Sequence, residues 1–370
     1  MQKIGQGIYT KEQVMDMLHA KGSSRTIKFR YDLLNKDELY IGTLDSVLSG
    51  EVSMSAFMDI KRTANLSIKE NRDIDWLNDR IQPFSMLRMP DGGWVEWSHG
   101  IFLLSSPKRK YGDNGVYREV TCYDGMQVLM DDKFDSRYAI TAGTKYIAAI
   151  NEILFDMGIT KTNIVSSDAI LQITKEYEIG TTKLAAINEL LQEMNYNSLW
   201  VDEYGYYTVS PYVIPIDRAV DYVYKDDELS VTYNGMEEEL DLFGVPNKWV
   251  VVQTNAETSP LVSTYINESI NSVTSTTNRG RTIVDYREVD NIADQTALNG
   301  YTRRIAYEAS QVYGYLEFET AIMPMHSFLD MLKVEYGPLG INNKYTETNW
   351  TIPLVPGGKM KHTARRVVSI

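Results

Sequence analysis

Residues 98–130, SHGIFLLSSPKRKYGDNGVYREVTCYDGMQVLM, decide how the first part of the chain folds. The apolar run at 101–104 and the alternating run at 116–123 both favour extended strands. Asn114-Gly115 lies between them and predicts a β-hairpin, because glycine adopts the positive φ of such a turn without steric cost. This stretch therefore predicts a hairpin within a β domain.

The same stretch predicts a helix directly after the hairpin. Asp124 can accept hydrogen bonds from the first N–H groups of that helix, and Gln127 stands in the reciprocal capping position. The basic residues Lys108, Arg109 and Lys110 precede the turn, and we interpret them as an exposed strand edge or a subunit contact. No catalytic group stands out here, which favours a structural role.

Length and charge limit the function classes. A chain of 370 residues exceeds what one hydrophobic core usually organises, so we expect two or more domains. The net charge of −13 argues against tight non-specific binding to nucleic-acid phosphates, which requires clustered basic residues. DNA can still slide past an acidic surface, because like charges suppress adsorption.

The single cysteine, Cys122, excludes an intrachain disulfide and predicts a small buried side chain. The N-terminus contains no apolar segment of signal-peptide length, and no apolar run is long enough for a membrane-spanning helix. We therefore expect synthesis in a reducing cytoplasm and no stable membrane insertion.

The order of the patterns predicts an α+β fold with two β-barrel-like domains flanking two small αβ units. Residues 1–135 are interpreted as an N-terminal arm and a first β-barrel domain. Residues 136–228 contain two helical patterns, at 144–159 and 182–196, that share the sequence AAINE, and are interpreted as two αβ units. Residues 229–370 are interpreted as a second β-barrel domain with an inserted helix at 294–312.

Motifs for cofactors, metals and nucleophilic catalysis do not occur. No P-loop pattern is present, and Gly5-Gln6-Gly7 lacks both a third glycine and a preceding strand. The four histidines, which are His19, His99, His326 and His362, are far apart in sequence and lack the spacing of metal ligands. We therefore predict no catalytic, cofactor-binding or metal-binding residues and no enzyme activity.

Carboxylates near aromatic residues leave one alternative open. A glycosidase needs two carboxyl groups, and tryptophan rings can stack on sugars. The candidates are Asp75, Glu96, Asp202 and Glu203, close in sequence to Trp76, Trp94, Trp97 and Trp200. Ends of strands in an acidic protein have the same composition, which favours a structural interpretation. The alternative is a carbohydrate-active enzyme or cell-wall-binding protein that uses these carboxylates and tryptophans.

Two acidic runs have a structural and a functional interpretation. Asp226-Asp227-Glu228 and Glu237-Glu238-Glu239 are most simply solvated loop residues. They are also suited to line a lumen or to pair with basic residues of a partner. The 25 tyrosines suit both strand interiors and interfaces.

Four motifs in this order resemble a known family. They are GIFL at 100–103 followed by VTCYD at 120–124, the helix at 184–194 followed by NY and then LWVDEYGY at 199–206, NKWVVV at 247–252, and WTIPLVPGGKM at 350–360. With this order the chain resembles the central hub or tail-tip proteins of bacteriophage tails and related contractile injection machines. The resemblance covers nearly the whole chain.

This resemblance implies a homotrimeric ring that closes the distal end of the tail tube. Two β domains in each chain would give six similar domains, so the ring would adapt six-fold to three-fold symmetry. The implied partners are the tail tube or a distal tail protein, the tape-measure protein, and a spike, fibre or lysin. DNA would pass through in transit without specific binding. Since the chain ends just after the last predicted strands, we expect wall-degrading activity to belong to another chain of the virion tail.

Overall fold

The computed structural model describes residues 1–70, 74–105, 107–113, 115–240, 242–255, 259–311, 314–368 and 370. The predicted α+β class is confirmed, with many strands and few helices. The first part contains one helix and nine strands: α1 (Lys11–Leu18), β1 (Ile27–Leu34), β2 (Tyr40–Thr43), β3 (Val47–Ser55), β4 (Arg62–Lys69), β5 (Arg80–Arg88), β6 (Trp94–Ser98), β7 (Phe102–Leu104), β8 (Lys108–Gly112) and β9 (Gly115–Tyr123).

The predicted hairpin is present, but its first strand differs from the prediction. β8 pairs with β9 in antiparallel register, and Gly112 is opposite Gly115. Gly115 has a φ of +85°, which explains why glycine follows the turn. Asn114 lies outside the described residues. The apolar run predicted as the first hairpin strand forms β7, which pairs with the far end of β9 and with β5.

The middle part contains the two repeated helices, and each lies within the region that its pattern predicted. Its elements are α2 (Met126–Asp131), β10 (Tyr138–Ile140), α3 (Tyr146–Asp156), β11 (Thr162–Ile164), β12 (Lys175–Tyr177), α4 (Lys183–Glu193), β13 (Trp200–Val201) and β14 (Tyr207–Val209). β10 pairs with β12, and β14 lies between β11 and β13. The apolar faces of α3 and α4 share one core with α2, in which Ile150, Ile187 and Leu190 are fully buried.

The last part is mainly strands with one long helix. Its elements are β15 (Tyr222–Lys225), β16 (Glu237–Leu240), β17 (Lys248–Gln253), β18 (Val262–Ile266), α5 (Thr276–Arg279), β19 (Val284–Val289), α6 (Gln295–Gln311), β20 (Gly314–Ala321), β21 (Met331–Tyr336), β22 (Ile341–Pro353) and β23 (Lys359–Arg366). The helix predicted at 294–312 is thus observed as α6. Its apolar face packs on Trp249 and Val251 of β17.

Strands from both ends of the chain form one sheet. The 15-stranded sheet follows the order β16-β20-β23-β22-β3-β4-β9-β7-β5-β1-β2, with four further strands attached beside this path. β22 and β3 connect its two halves, with Trp350 opposite Met54. One hydrophobic core, which includes Val52, Leu66 and Ile352, extends across this connection. The domain boundaries at 135 and 228 stay predictions. Barrel closure also stays a prediction, since the path among the described strands has two ends.

Candidate functional site

The parts of the chain meet at a buried ion pair, which we call the Arg62 junction. Arg62 begins β4 and is 1% exposed, and its Nη2 donates to the Glu203 carboxylate in the turn after β13. Ser327, from the loop before β21, donates to the same carboxylate oxygen. Ser98 Oγ donates to the main-chain oxygen of Glu203 at 2.6 Å. These contacts hold the middle part against strands from both ends of the chain.

Asp124 extends the junction to α2. One of its carboxylate oxygens accepts from the Arg62 main-chain N–H at 2.8 Å, and the other accepts from the Met126 N–H at 3.0 Å. Burial raises the pKa of Asp124 to about 6 against the effect of these hydrogen bonds. The predicted contact with the first turn of the helix is therefore present. The predicted reciprocal contact is wrong, because the Gln127 side chain instead donates to Asp131 at 2.6 Å.

Two of the four histidines meet at one carboxylate in the interior, which sequence spacing did not reveal. Glu347 accepts from His326 Nδ1 at 2.5 Å and from His362 Nδ1 at 2.6 Å, and all three side chains are fully buried. The outer ring nitrogens are also bonded, His326 Nε2 to the Tyr224 hydroxyl and His362 Nε2 to the Thr320 hydroxyl. We call this group the histidine cluster.

The two imidazoles of the histidine cluster differ in charge. Burial alone would lower the pKa of His326, but the charges and hydrogen bonds of Glu347 and Asp330 outweigh it and raise the pKa to about 9. Burial lowers the pKa of His362 and outweighs the opposing effect of Glu347. At neutral pH, His326 is therefore protonated and His362 is neutral. The N-terminal amine of Met1 pairs with Asp330 at 2.5 Å beside this cluster.

The histidine cluster has the residue types of a metal site but the geometry of a hydrogen-bonded network. The ligand atoms that His326, Glu347 and His362 offer lie within 4.8 Å of one another. A metal ion could bind only by replacing both hydrogen bonds from the histidines to Glu347. Every ring nitrogen of the two histidines already has a hydrogen-bond partner, and the site is fully enclosed. These residues therefore stabilise the interior.

The four candidate carboxylates are held by structural contacts. Asp75 accepts from main-chain N–H groups of its own loop, and Glu96 pairs with Arg30 at 2.7 Å. Asp202 accepts from two N–H groups of its turn, and Glu203 belongs to the Arg62 junction. Burial, followed by the charges of Glu203, Asp202 and Glu96, raises the pKa of Tyr204.

The charged runs differ in structure. Lys108, Arg109 and Lys110 lie in β8, which pairs only with β9 among the described strands, so the predicted exposed edge is confirmed.

Asp226-Asp227-Glu228 is an exposed loop, as predicted. The loop prediction for residues 237–239 is wrong, because they lie in β16 and pair with β20. The Glu238 carboxylate accepts from the Tyr345 hydroxyl at 2.8 Å, which stabilises this position in the sheet.

A cleft of about 370 Å³ lies where the middle part meets α6 and the strands of the last part. Its walls include Trp200, whose ring stacks on Phe328 at 4.8 Å, and Tyr212, whose ring lies 4.6 Å from the Arg304 guanidinium. Arg218 also lines it. We call it the arginine cleft. Sequence reasoning missed it because its residues come from segments far apart in the chain.

The sheet β18-β17-β19 has a mainly apolar outer face. α6 covers Trp249 and Val251 on one side, and strand alternation places Val250 and Val252 on the other. Val250 is opposite Tyr286, and Val252 is opposite Val262. Four residues of this face are 40 to 56% exposed in one chain. The outer sheet face consists of the apolar residues Val250, Val252, Val262, Ile266, Val284 and Tyr286 together with Lys248, Thr264 and Glu288.

Comparison with known proteins identifies the fold. No family model matches the chain, and no curated protein matches it in sequence. A tail protein from Neisseria meningitidis MC58 superposes with a TM-score of 0.64 at 10% identity, covering 91% of this chain and 96% of that chain. The prophage MuSo2 43 kDa tail protein from Shewanella oneidensis superposes with a TM-score of 0.60 at 10% identity, covering 91% and 98%.

A secretion-system protein is also similar. The E. coli c3393 protein, a component of the type VI secretion system, superposes with a TM-score of 0.50 at 10% identity and covers 91% of this chain and 77% of that chain. The resemblance to phage tail and baseplate hub proteins that the four motifs predicted is therefore confirmed at the level of the fold.

Proposed function

We propose that this chain, which has the fold of phage tail proteins, is the structural hub at the distal end of a phage or phage-like tail. The observation that carries this proposal is the structural similarity to tail proteins over nearly the full length of both chains. We infer a homotrimeric ring that closes the tail tube. In this ring, residues 1–135 and 229–370 each contribute one β-barrel-like domain, and residues 136–228 contribute the two αβ units between them.

The outer sheet face supports self-association. A sheet covered by a helix on one side normally presents mainly polar residues to water on the other, whereas six of the nine side chains on this face are apolar. Burying them against a neighbouring subunit would stabilise a ring. Six β-barrel-like domains in such a trimer would match a six-fold tube above and present three-fold symmetry below.

The acidic charge supports passage of DNA or the tape-measure protein during infection of the host. A net charge of −13 disfavours adsorption of a polyanion, so a lumen that includes residues 226–228 would let DNA slide. No helix in the described part of the chain is long and apolar enough to cross a membrane. We place the protein in the virion tail, after synthesis in the bacterial cytoplasm, in contact with a tail tube or distal tail protein and with a spike, fibre or lysin.

We propose that the hub is not an enzyme, because the contacts of its candidate carboxylates are structural. The alternative is a cell-wall carbohydrate-binding or peptidoglycan-hydrolysing tail protein. The observation that favours it is that the charges of Glu203, Asp202 and Glu96 act on one tyrosine, because together with burial they raise the pKa of Tyr204.

Mass measurement of the purified protein tests the hub. We expect a species of three times the mass of one chain, and rings on tube-like partners in electron micrographs. A monomer at all concentrations that forms no ring on such partners would contradict the proposal.

A further inference from the structure

The arginine cleft has the size and the wall chemistry of a binding site. Its volume of about 370 Å³ lies within the range of roughly 300–1,000 Å³ that is usual for ligand pockets. Trp200 and Phe328 provide a stacked aromatic wall, and Pro211 and Val213 line the loop side. An apolar side chain of a ligand would be shielded from water against these groups.

The charge of the cleft is opposite to that of the whole protein. Arg304 is paired with Glu308 at 2.8 Å and donates to the Tyr196 main-chain oxygen at 2.7 Å. Arg218 lines the cleft, and no ion pair of its guanidinium occurs in the described part of the structure. Lys344 Nζ donates to the Arg218 main-chain oxygen, so a further cation lies nearby. Burial, followed by the charge of Arg218, lowers the pKa of Lys344 against the opposing charges of Asp217 and Asp221.

A third arginine lies at the edge of the cleft. The Arg365 guanidinium is 4.2 Å from the centroid of the Phe57 ring, and Phe57 lines the cleft. Arg365 also lies opposite Thr346, which lines the cleft. Burial lowers the pKa of Arg365 against the opposing charge of Glu308. Glu308 is thus shared by several cations. Arg365 has no ion pair within the described ranges. Four cations, Arg218, Arg304, Lys344 and Arg365, therefore lie at or beside the cleft with three carboxylates, Glu308, Asp217 and Asp221.

The walls also contain hydrogen-bond donors without partners. Gln311 is 5% exposed, and its Nε2 has no hydrogen bond to any described residue. The same holds for Trp200 Nε1 and the Tyr212 hydroxyl. A buried donor without a partner costs free energy. A ligand rich in acceptor oxygens would satisfy such donors after small side-chain rotations.

One wall residue has a strained backbone. Leu329 has a φ of +54°, a left-handed conformation that a bulky residue rarely adopts. The turn is held by Asp330, which accepts from the Ser327 N–H at 2.8 Å. Such strain concentrates at functional sites, because surrounding contacts must maintain it.

We propose that the arginine cleft binds an acidic peptide segment of a partner protein. Carboxylates of the segment pair with Arg218 and Arg365, and a neighbouring apolar side chain packs against Trp200 and Phe328. Guanidinium groups match carboxylates in bidentate geometry. A nucleic acid is disfavoured, because its extended backbone would meet a surface with a net charge of −13 outside this short cleft.

Binding of a short fluorescein-labelled peptide of alternating glutamate and leucine tests this proposal by fluorescence anisotropy. The purified full chain is expected to bind it at low salt, and to bind the matched glutamine-leucine peptide at least about tenfold more weakly. Arg218→Ala with Arg365→Ala should lower the affinity for the acidic peptide by about tenfold or more. The matched control is Arg109→Ala with Arg137→Ala, two arginines that are each 63% exposed and lie elsewhere.

Equal binding of both peptides, no binding of the acidic peptide, or equal loss in the control variant would overturn the proposal. Binding of a labelled oligonucleotide through the same arginines, without peptide binding, would also overturn it. If the double variant does not fold, the single variant Arg218→Gln is tested in the same binding assay. Its folding should be unaffected, because the Arg218 side chain has no ion pair to lose in the described structure. The peptide assay does not depend on assembly of a ring. The peptide-binding proposal can therefore fail while the hub proposal holds, and the hub proposal can fail while the peptide still binds.

Discussion

Arg62 and Glu203 form a buried ion pair although 141 residues of sequence separate them. Arg62 lies at the start of a strand in the large sheet, and Glu203 lies in the turn of a hairpin in the middle part. Their contact holds the αβ units against a sheet made from both ends of the chain. A rigid connection of this kind suits the structural hub that we propose.

Replacing Glu203 with alanine should strongly destabilise the protein. The variant leaves the Arg62 guanidinium buried without its counter-ion, and removing one partner of a buried pair typically costs about 3–5 kcal/mol. Urea unfolding followed by tryptophan fluorescence measures the change in the free energy of unfolding. The control is Glu178→Ala, which removes an exposed partner of Arg137 and should change that energy by less than about 1 kcal/mol. Equal losses would show that the junction does not hold the parts together.

The histidine cluster should make stability fall at alkaline pH. The pKa of His326 is about 9 in the folded protein and 6.5 for the unperturbed side chain, so folding favours the protonated ring. Its contribution is fully present below pH 6.5 and is lost as the pH rises through about 9, and it amounts to at most about 3 kcal/mol. Urea unfolding of the wild type and of His326→Gln, each at pH 6.5 and at about pH 9, measures how the free energy of unfolding changes with pH.

His326→Gln should reduce the dependence of stability on pH, whatever it does to stability itself. Tyr224→Phe is the control, because it removes a hydrogen bond to His326 but keeps the pairing with Glu347. The interpretation is wrong if His326→Gln and the wild type lose the same stability between the two pH values.

Introducing carboxylates on the outer sheet face should prevent the chains from associating with one another. Val262→Glu with Tyr286→Glu places carboxylates where we propose apolar burial against a second subunit, and burying an unpaired charge is costly. Light scattering should show a shift from trimer to monomer. Leu77→Glu with Tyr111→Glu is the matched control, because both side chains are 86% exposed and lie elsewhere. A trimer that survives the first pair of substitutions would place the interface on another surface.

Charge reversal of Asp226 and Asp227 should reduce DNA delivery. If the exposed acidic loop faces the lumen, lysines there would attract the DNA backbone and slow its passage. Delivery per assembled particle is the measurement, and particles with Glu176→Lys and Glu178→Lys provide the control. Unchanged delivery would count against an acidic lumen at this loop.

Purified protein should release no soluble fragments from peptidoglycan. Glu96 is paired with Arg30, and Glu203 is buried against Arg62, so neither is free to transfer a proton to a sugar. A dye-release assay tests this. Release that disappears in Glu96→Gln or Asp202→Asn, with folding intact, would favour the hydrolase alternative.

Local sequence was sufficient where the pattern of a segment decides its own structure. Gly115 predicted the β8–β9 hairpin, and apolar residues at helical spacing predicted α3, α4 and α6. Cys122 is fully buried, as its place in an alternating strand predicted. These features depend on turn conformation and on the periodicity of burial, which neighbouring residues determine. The order of such features also carried the resemblance to tail hub proteins.

The tertiary structure alone decided which distant segments meet. Residues 237–239 lacked apolar alternation but became a strand, because β20 provided a pairing edge and Tyr345 a hydrogen bond. Gln127 turned to Asp131 because the Asp124 main-chain N–H, which the reciprocal contact would need, already donates to the Arg62 main-chain oxygen at 3.1 Å. The pairing of β3 with β22, the histidine cluster and the arginine cleft all depend on packing between residues far apart in the chain. Sequence spacing does not encode such contacts, since the free energy that selects them comes from burial and pairing in the folded whole.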